Sequence, residues 1–173
     1  MASSCIEFEQ KEYWVRDAVL ESWQIALVDE IKERALGESW ILAFQKELAV
    51  QAIPIIIGGM DMCLDEFLIS PDRKQQCKEW IQAIIEKMRR DADYVSGTHF
   101  EKLRRQALQL LRDRGEIKPA TEKEFEKMVQ ASRWAESNLV GYQERYIQFF
   151  QALIGIIEQQ DMDFPYCYTA RNT

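Results

Sequence analysis

Histidine is almost missing from this chain: His99 is the only one in 173 residues. A single imidazole cannot supply the paired Glu-x-x-His motifs of a di-iron bundle, nor the ligand set of most catalytic zinc sites. A haem ligand is the metal role it leaves open. Its position beside Thr98, in the first turn of a predicted helix, instead marks it as an exposed surface residue. Glycine and proline are scarce as well, at seven and four. That argues against long linkers and against a turn-rich β protein. The cysteines at 5, 63, 77 and 167 have no metal-ligand or redox spacing, so four reduced thiols are expected. The longest apolar-rich run, Ala49–Met60, already contains Gln51 and is far short of the roughly 20 residues of a membrane span. The opening "MASSCIEFEQKEYW" has no basic start and no apolar stretch, so no signal peptide is expected. These absences predict a cytoplasmic chain, with no membrane contact, no metal and no cofactor.

What the chain does have is acid. The net charge is −7. Residues 1–85 contribute −7, residues 86–118 contribute +3, and residues 119–173 contribute −3. An acidic balance disfavours nucleic acid and anionic membranes and suits a basic protein partner.

Helical periodicity dominates the rest. Cys77, Trp80, Ile81, Ile84, Ile85 and Met88 fall on one stripe, behind a start marked by Ser70, Pro71 and Asp72. This predicts a helix over about 71–93. Thr98 and Glu101 have the spacing of a capping box. Behind them Phe100, Leu103, Ala107, Leu110 and Leu111 form a stripe that Gly115 closes. Thr121 and Glu124 repeat the box, and the following pattern predicts helix with a break near Asn138–Gly141. Residues 9–36 read as one helix closed by Gly37, and a second helix starts near Ser39.

The stretch "IPIIIGGMDMCLDEFLISP" admits two readings. A phosphate loop needs a cation near its glycines, and no Lys or Arg lies between Lys46 and Arg73. The helical reading fits better, since Ile53, Ile56, Ile57, Met60, Leu64, Phe67 and Leu68 step at helical intervals. Gly58 and Gly59 would then mark a close helix crossing. Within it, Asp61 and Asp65 share a face in a way that resembles the acidic metal-binding helix of terpene and prenyl synthases. The second metal motif of that family fails here, because Asn138 lacks the following acid and Tyr142 and Tyr146 replace the required ligands. The chain is also too short for that fold.

Three surfaces remain. Arg89, Arg90, Arg104, Arg105, Arg112 and Arg114 form a basic band, but interleaved acids predict internal pairing rather than a nucleic-acid face. Five tryptophans, at 14, 23, 40, 80 and 134, suit either a core or a binding hot spot. In the first predicted helix, Asp17 with Glu21 and Asp29 with Glu33 are like-charge pairs four residues apart, whereas Glu12–Arg16 and Glu30–Arg34 compensate each other. Asp17, Glu21, Asp29 and Glu33 are therefore the expected partner-binding acids.

The sequence thus predicts one all-α domain over 1–173, a bundle of five to seven helices around a central apolar helix at Ile53–Leu68, with 160–173 an irregular tail. The expected function is a non-enzymatic protein–protein interaction module: an inhibitor, an immunity-type protein or an adaptor. The alternatives are a helical small-molecule sensor or enzyme with an aromatic pocket, and a nucleic-acid-associated regulator using the basic band.

Overall fold

The chain begins with a β-hairpin, not a helix. Strand β1 (Ser3–Phe8) and strand β2 (Lys11–Arg16) pair antiparallel, with Ile6 opposite Tyr13 and Phe8 opposite Lys11. A computed structural model describes residues 3–34, 37–53, 59–131, 143–164 and 166–170. After the hairpin come α1 (Asp17–Glu33), α2 (Ser39–Gln51), the short α3 (Leu64–Phe67) and α4 (Pro71–Arg90). A single 3-10 turn, Ala92–Val95, leads into α5 (Gly97–Asp113), α6 (Glu122–Gln130) and α7 (Gln143–Ile157). Strands β3 (Asp163–Phe164) and β4 (Cys167–Thr169) follow, and the four strands form one antiparallel sheet in the order β1-β2-β4-β3. The fold is mixed α/β with helix dominant, and the all-α expectation is corrected on that point.

The hairpin turn explains the error. Glu9 and Gln10 both take positive φ, 48° and 73°, as a tight two-residue hairpin loop requires. Neither is the glycine or asparagine that normally signals such a turn. Distant side chains hold the conformation instead. The Glu9 amide donates to Asp65 Oδ1 at 3.0 Å, Lys74 pairs with the Glu9 carboxylate, and Gln159 Nε2 donates to the Phe8 carbonyl at 3.1 Å. Residues 160–164 and 166–170 are likewise not an irregular tail. The Arg16 amide donates to the Tyr166 carbonyl at 3.0 Å, and the Ala170 amide donates to the Glu12 carbonyl at 2.8 Å, so residues 166–170 are stitched onto β2.

The central element is α1, not the Ile53–Leu68 segment. Apolar residues at 19, 20, 23, 25–28 and 31 bury it nearly all round, against α2, α4, α5, α7 and β2. Residues 54–58, Gly58 among them, lie outside the described residues. Over 59–63 no helix forms, and Gly59 is exposed, so it marks no close crossing. The backbone there bonds to side chains: the Met60 amide to Ser4 Oγ at 3.0 Å, the Asp61 amide to Gln51 Oε1 at 3.3 Å, and the Asp61 carbonyl to Gln24 Nε2 at 2.8 Å. Met60, Met62 and Leu64 point inward with an extended period of two, which short apolar runs share with helical spacing.

Local signals served better downstream. Ser70 caps α4 and its predicted stripe is buried throughout. Thr121 Oγ1 accepts from the Glu124 amide at 3.2 Å, capping α6 as the box predicted. In α5 the cap is Ser96, two residues ahead of Thr98. Gly115 closes it with φ +74°. The break expected near Asn138–Gly141 lies outside the described residues.

Candidate functional site: the outer face of the sheet

Alternation divides the sheet into two faces. Ile6, Phe8, Tyr13, Val15 and Cys167 point inward and belong to the main core. The register places Cys5 opposite Trp14, Trp14 opposite Tyr168, and Tyr168 opposite Asp163. This row crosses all four strands on the side away from the helices. Trp14 is 38% exposed and Tyr168 48%, two of the four large hydrophobic residues exposed among the described residues. Directly cross-strand aromatic side chains on one face lie within contact reach.

The row is flanked unequally. Toward the hairpin turn stands Glu7 opposite Glu12, both exposed. Toward the other end stands Arg16 opposite Ser3, its guanidinium lying 4.5 Å from the centre of the Tyr166 ring. Other acids near the turn are matched: Glu9 with Lys74, and Asp161 with Lys11 at 2.7 Å. Glu7 and Glu12 form no ion pair among the described residues. Burial, then the carboxylates of Glu12 and Glu7, push the Cys5 thiol above its ordinary pKa.

The acids predicted to bind a partner are mostly elsewhere. Asp17 is buried and accepts from Ser4 Oγ at 2.7 Å. Glu21 is 0% exposed and forms an internal ion pair with Arg104 of α5, itself 1% exposed. Arg104 also donates to the carbonyls of Met128, at 3.1 Å, and Ala52, at 3.4 Å. Asp29 is buried, with its carboxyl pKa raised by that burial and by Glu33. Only Glu33 of the four is exposed, and Lys87 bridges it to Glu30. Asp17, Glu21, Asp29 and Glu33 therefore do not make a solvent-facing acidic stripe.

The other candidates disperse in the same way. In the basic band Arg104 is buried, Arg105 pairs with Glu126, Arg112 with Glu122 at 3.0 Å, and Arg89 with Glu86 at 2.5 Å. Asp61 and Asp65 share no helix face, since Asp61 precedes α3 and Asp65 holds the hairpin turn. Among the described residues no three His, Cys, Asp or Glu side chains stand together as metal ligands, and no helix is long and apolar enough to cross a membrane. His99 is half-buried against Tyr94, ring centres 4.2 Å apart, rather than exposed; burial and then Lys102 lower its pKa. Trp23 and Trp80 are core residues, Trp40 stacks on Trp80 at 5.9 Å, and Trp134 lies outside the described residues.

Sequence reading missed Glu7 and Tyr168, and it placed Glu12 and Trp14 on a helix. The available signal was the inward alternation Ile6, Phe8 and Tyr13, Val15 around a two-residue gap. No protein-family model, curated protein or solved structure matches this chain.

Proposed function

We propose that this protein is a non-enzymatic, cytoplasmic protein–protein interaction module, of the inhibitor, immunity-type or adaptor kind, that docks through the outer face of its sheet. The observation carrying this reading is the exposed cross-strand pair Trp14–Tyr168. Tryptophan and tyrosine are enriched at interface hot spots because they combine large apolar area with a polar tip and few rotatable bonds. Both stand on a sheet whose inner face is part of the main core, so they are held rigidly and their contacts need little ordering. The adjoining carboxylates suit the polar rim that surrounds such anchors.

The test is affinity capture from the native host, with the parent and the Trp14→Ala/Tyr168→Ala variant as parallel baits. The partner recovered by the parent is expected to disappear from the variant while the circular dichroism spectrum and melting temperature are preserved. Recovery of the same partner by both baits would remove the sheet face as the interface. A small molecule retained by the parent in native mass spectrometry would favour a sensor instead.

A further inference from the structure

The next question is what kind of partner surface fits this face, and its charge is the guide. Glu7 and Glu12 stand directly opposite each other on neighbouring strands. Such positions place Cβ atoms about 4.5–5.5 Å apart, and like charges there destabilise a sheet. Nearby acids have been matched with cations from α4 and β2, namely Lys74 and Lys11. The Glu7–Glu12 pair has not, among the described residues. Arg16 lies four residues along β2 from Glu12, about 13 Å at strand rise, and its guanidinium sits over Tyr166. Among the described residues the repulsion is thus left standing, next to the largest aromatic group on the face.

From this, and resting on the reading of the sheet face as the docking surface, we infer that the partner presents an arginine-bearing basic segment, and that Glu7, Glu12 and the face of Trp14 seat a guanidinium group. Glu12 and Trp14 are two apart on β2 and so project from the same face, with Glu7 across from Glu12. A guanidinium offers a planar fork of donors to carboxylates while its own face lies on an aromatic ring. Lysine, as a compact and strongly hydrated charge, meets only half of that requirement. The protein uses the same chemistry internally: Arg73 lies 4.7 Å from the Trp40 ring centre and Arg112 lies 5.1 Å from that of Phe125. The face is also polar along its length, with acids at the hairpin end and Arg16 at the other. A partner segment should therefore lie in one direction, its cation toward the turn.

The probe is a short capped peptide of alternating arginine and serine, compared with lysine–serine and glutamate–serine peptides of equal length. Binding is followed by NMR on the labelled full chain, with the Trp14 indole resonance assigned from Trp14→Phe. The arginine peptide should shift Glu7, Glu12 and Trp14, bind more tightly than the lysine peptide, and weaken as salt is raised. Glu7→Gln/Glu12→Gln should lose about tenfold in affinity, the loss expected for two exposed ion pairs with the Trp14 ring contact left in place. Equal binding of the glutamate peptide at this face, unchanged affinity in the double variant, or no shift with any peptide would each overturn the arginine seat. Host capture separates this from the docking face itself. A partner lost with Trp14→Ala/Tyr168→Ala yet kept at full affinity by Glu7→Gln/Glu12→Gln ends the inference and leaves the face standing; a partner kept by both ends both.

Discussion

Two acid-rich stretches lie side by side in the chain and end in opposite environments. The hairpin strands put Glu7 and Glu12 into solvent, while α1, which begins at the next residue after β2, takes Asp17, Glu21 and Asp29 inside. The difference lies in the partners. Inside, Ser4 donates to Asp17 and Arg104 pairs with Glu21, so two of these three buried carboxylates have a partner supplied from another element, while burial and Glu33 raise the pKa of the third, Asp29. Outside, water solvates the glutamates and no cation has been placed beside them among the described residues. Acids that the fold has paired serve stability. Acids it leaves opposed on a rigid open face are available to a partner.

The largest effect expected from breaking this contrast is at Glu21. Removing one member of a buried ion pair leaves the other charged and desolvated, which costs about 3–5 kcal/mol. Glu21→Ala should lower the unfolding free energy by that amount in urea titration, with the slope of the transition unchanged. A loss below about 1 kcal/mol would mean that Arg104 finds water or another acid, and that α1 is less sealed than its burial implies. Next in size is Ser4→Ala. The hydroxyl donates to Asp17 and accepts from the Met60 amide at 3.0 Å, so its loss removes one hydrogen bond from a buried carboxylate and one from a buried amide. The expected cost is about 1–3 kcal/mol, read the same way. Neutral behaviour at Ser4 would show that the 59–63 segment is not anchored on β1.

These partners also explain what could be read from the sequence and what could not. Helices α4 and α6 were legible because their signals are local: Ser70 with Pro71, Thr121 with Glu124, and apolar stripes on one face. The hairpin was not, because Asp65 holds its turn from 56 residues away and Gln159 from 151. A turn of Glu9-Gln10 carries no glycine or asparagine, and without it Glu12 and Arg16 look like a helical i,i+4 pair. On a strand they stand about 13 Å apart. By contrast Glu30 and Arg34, read as the same kind of pair, do bond at 2.7 Å, because α1 is there. Three of the four acids expected on the surface, Asp17, Glu21 and Asp29, are buried for a related reason. Spacing within α1 shows which residues share a face, but whether that face is wet depends on Ser4 and Arg104, which the spacing does not reveal. Of the candidate site, Trp14 was visible as an unusual residue, while Tyr168 lay in a short segment ordered by pairing with β2 and β3.

A smaller effect, opposite in sign, is expected at the turn itself. Gln10 has φ 73°, a conformation that costs a residue with a Cβ about 1–2 kcal/mol and glycine almost nothing. Glycine gives back part of this through the greater freedom of its unfolded chain. Gln10→Gly should therefore stabilise the protein by about 0.5–1 kcal/mol in thermal or urea unfolding. Destabilisation would show that the Gln10 side chain contributes contacts that outweigh the backbone cost.

The smallest expected change in stability is the most informative, because stability and binding should move in opposite directions. Glu7 and Glu12 repel each other across the strand pair. Replacing one with lysine turns a like-charge pair into an opposite-charge pair, worth about 0.2–1 kcal/mol on an exposed sheet face. Glu7→Lys should thus raise the melting temperature slightly, while placing a cation where an arginine of the partner would have to sit. Capture of the host partner, or binding of the arginine–serine peptide, should fail in this more stable protein. The natural pair would then be a local cost retained for docking, as strain at functional positions often is. If Glu7→Lys is both more stable and fully competent to bind, the opposed glutamates have no part in recognition, and the docking face reduces to Trp14 and Tyr168. If it is less stable, the carboxylates of Glu7 and Glu12 must be balanced by a cation that the described residues do not include, and the contrast between matched and unmatched acids fails at its outer end.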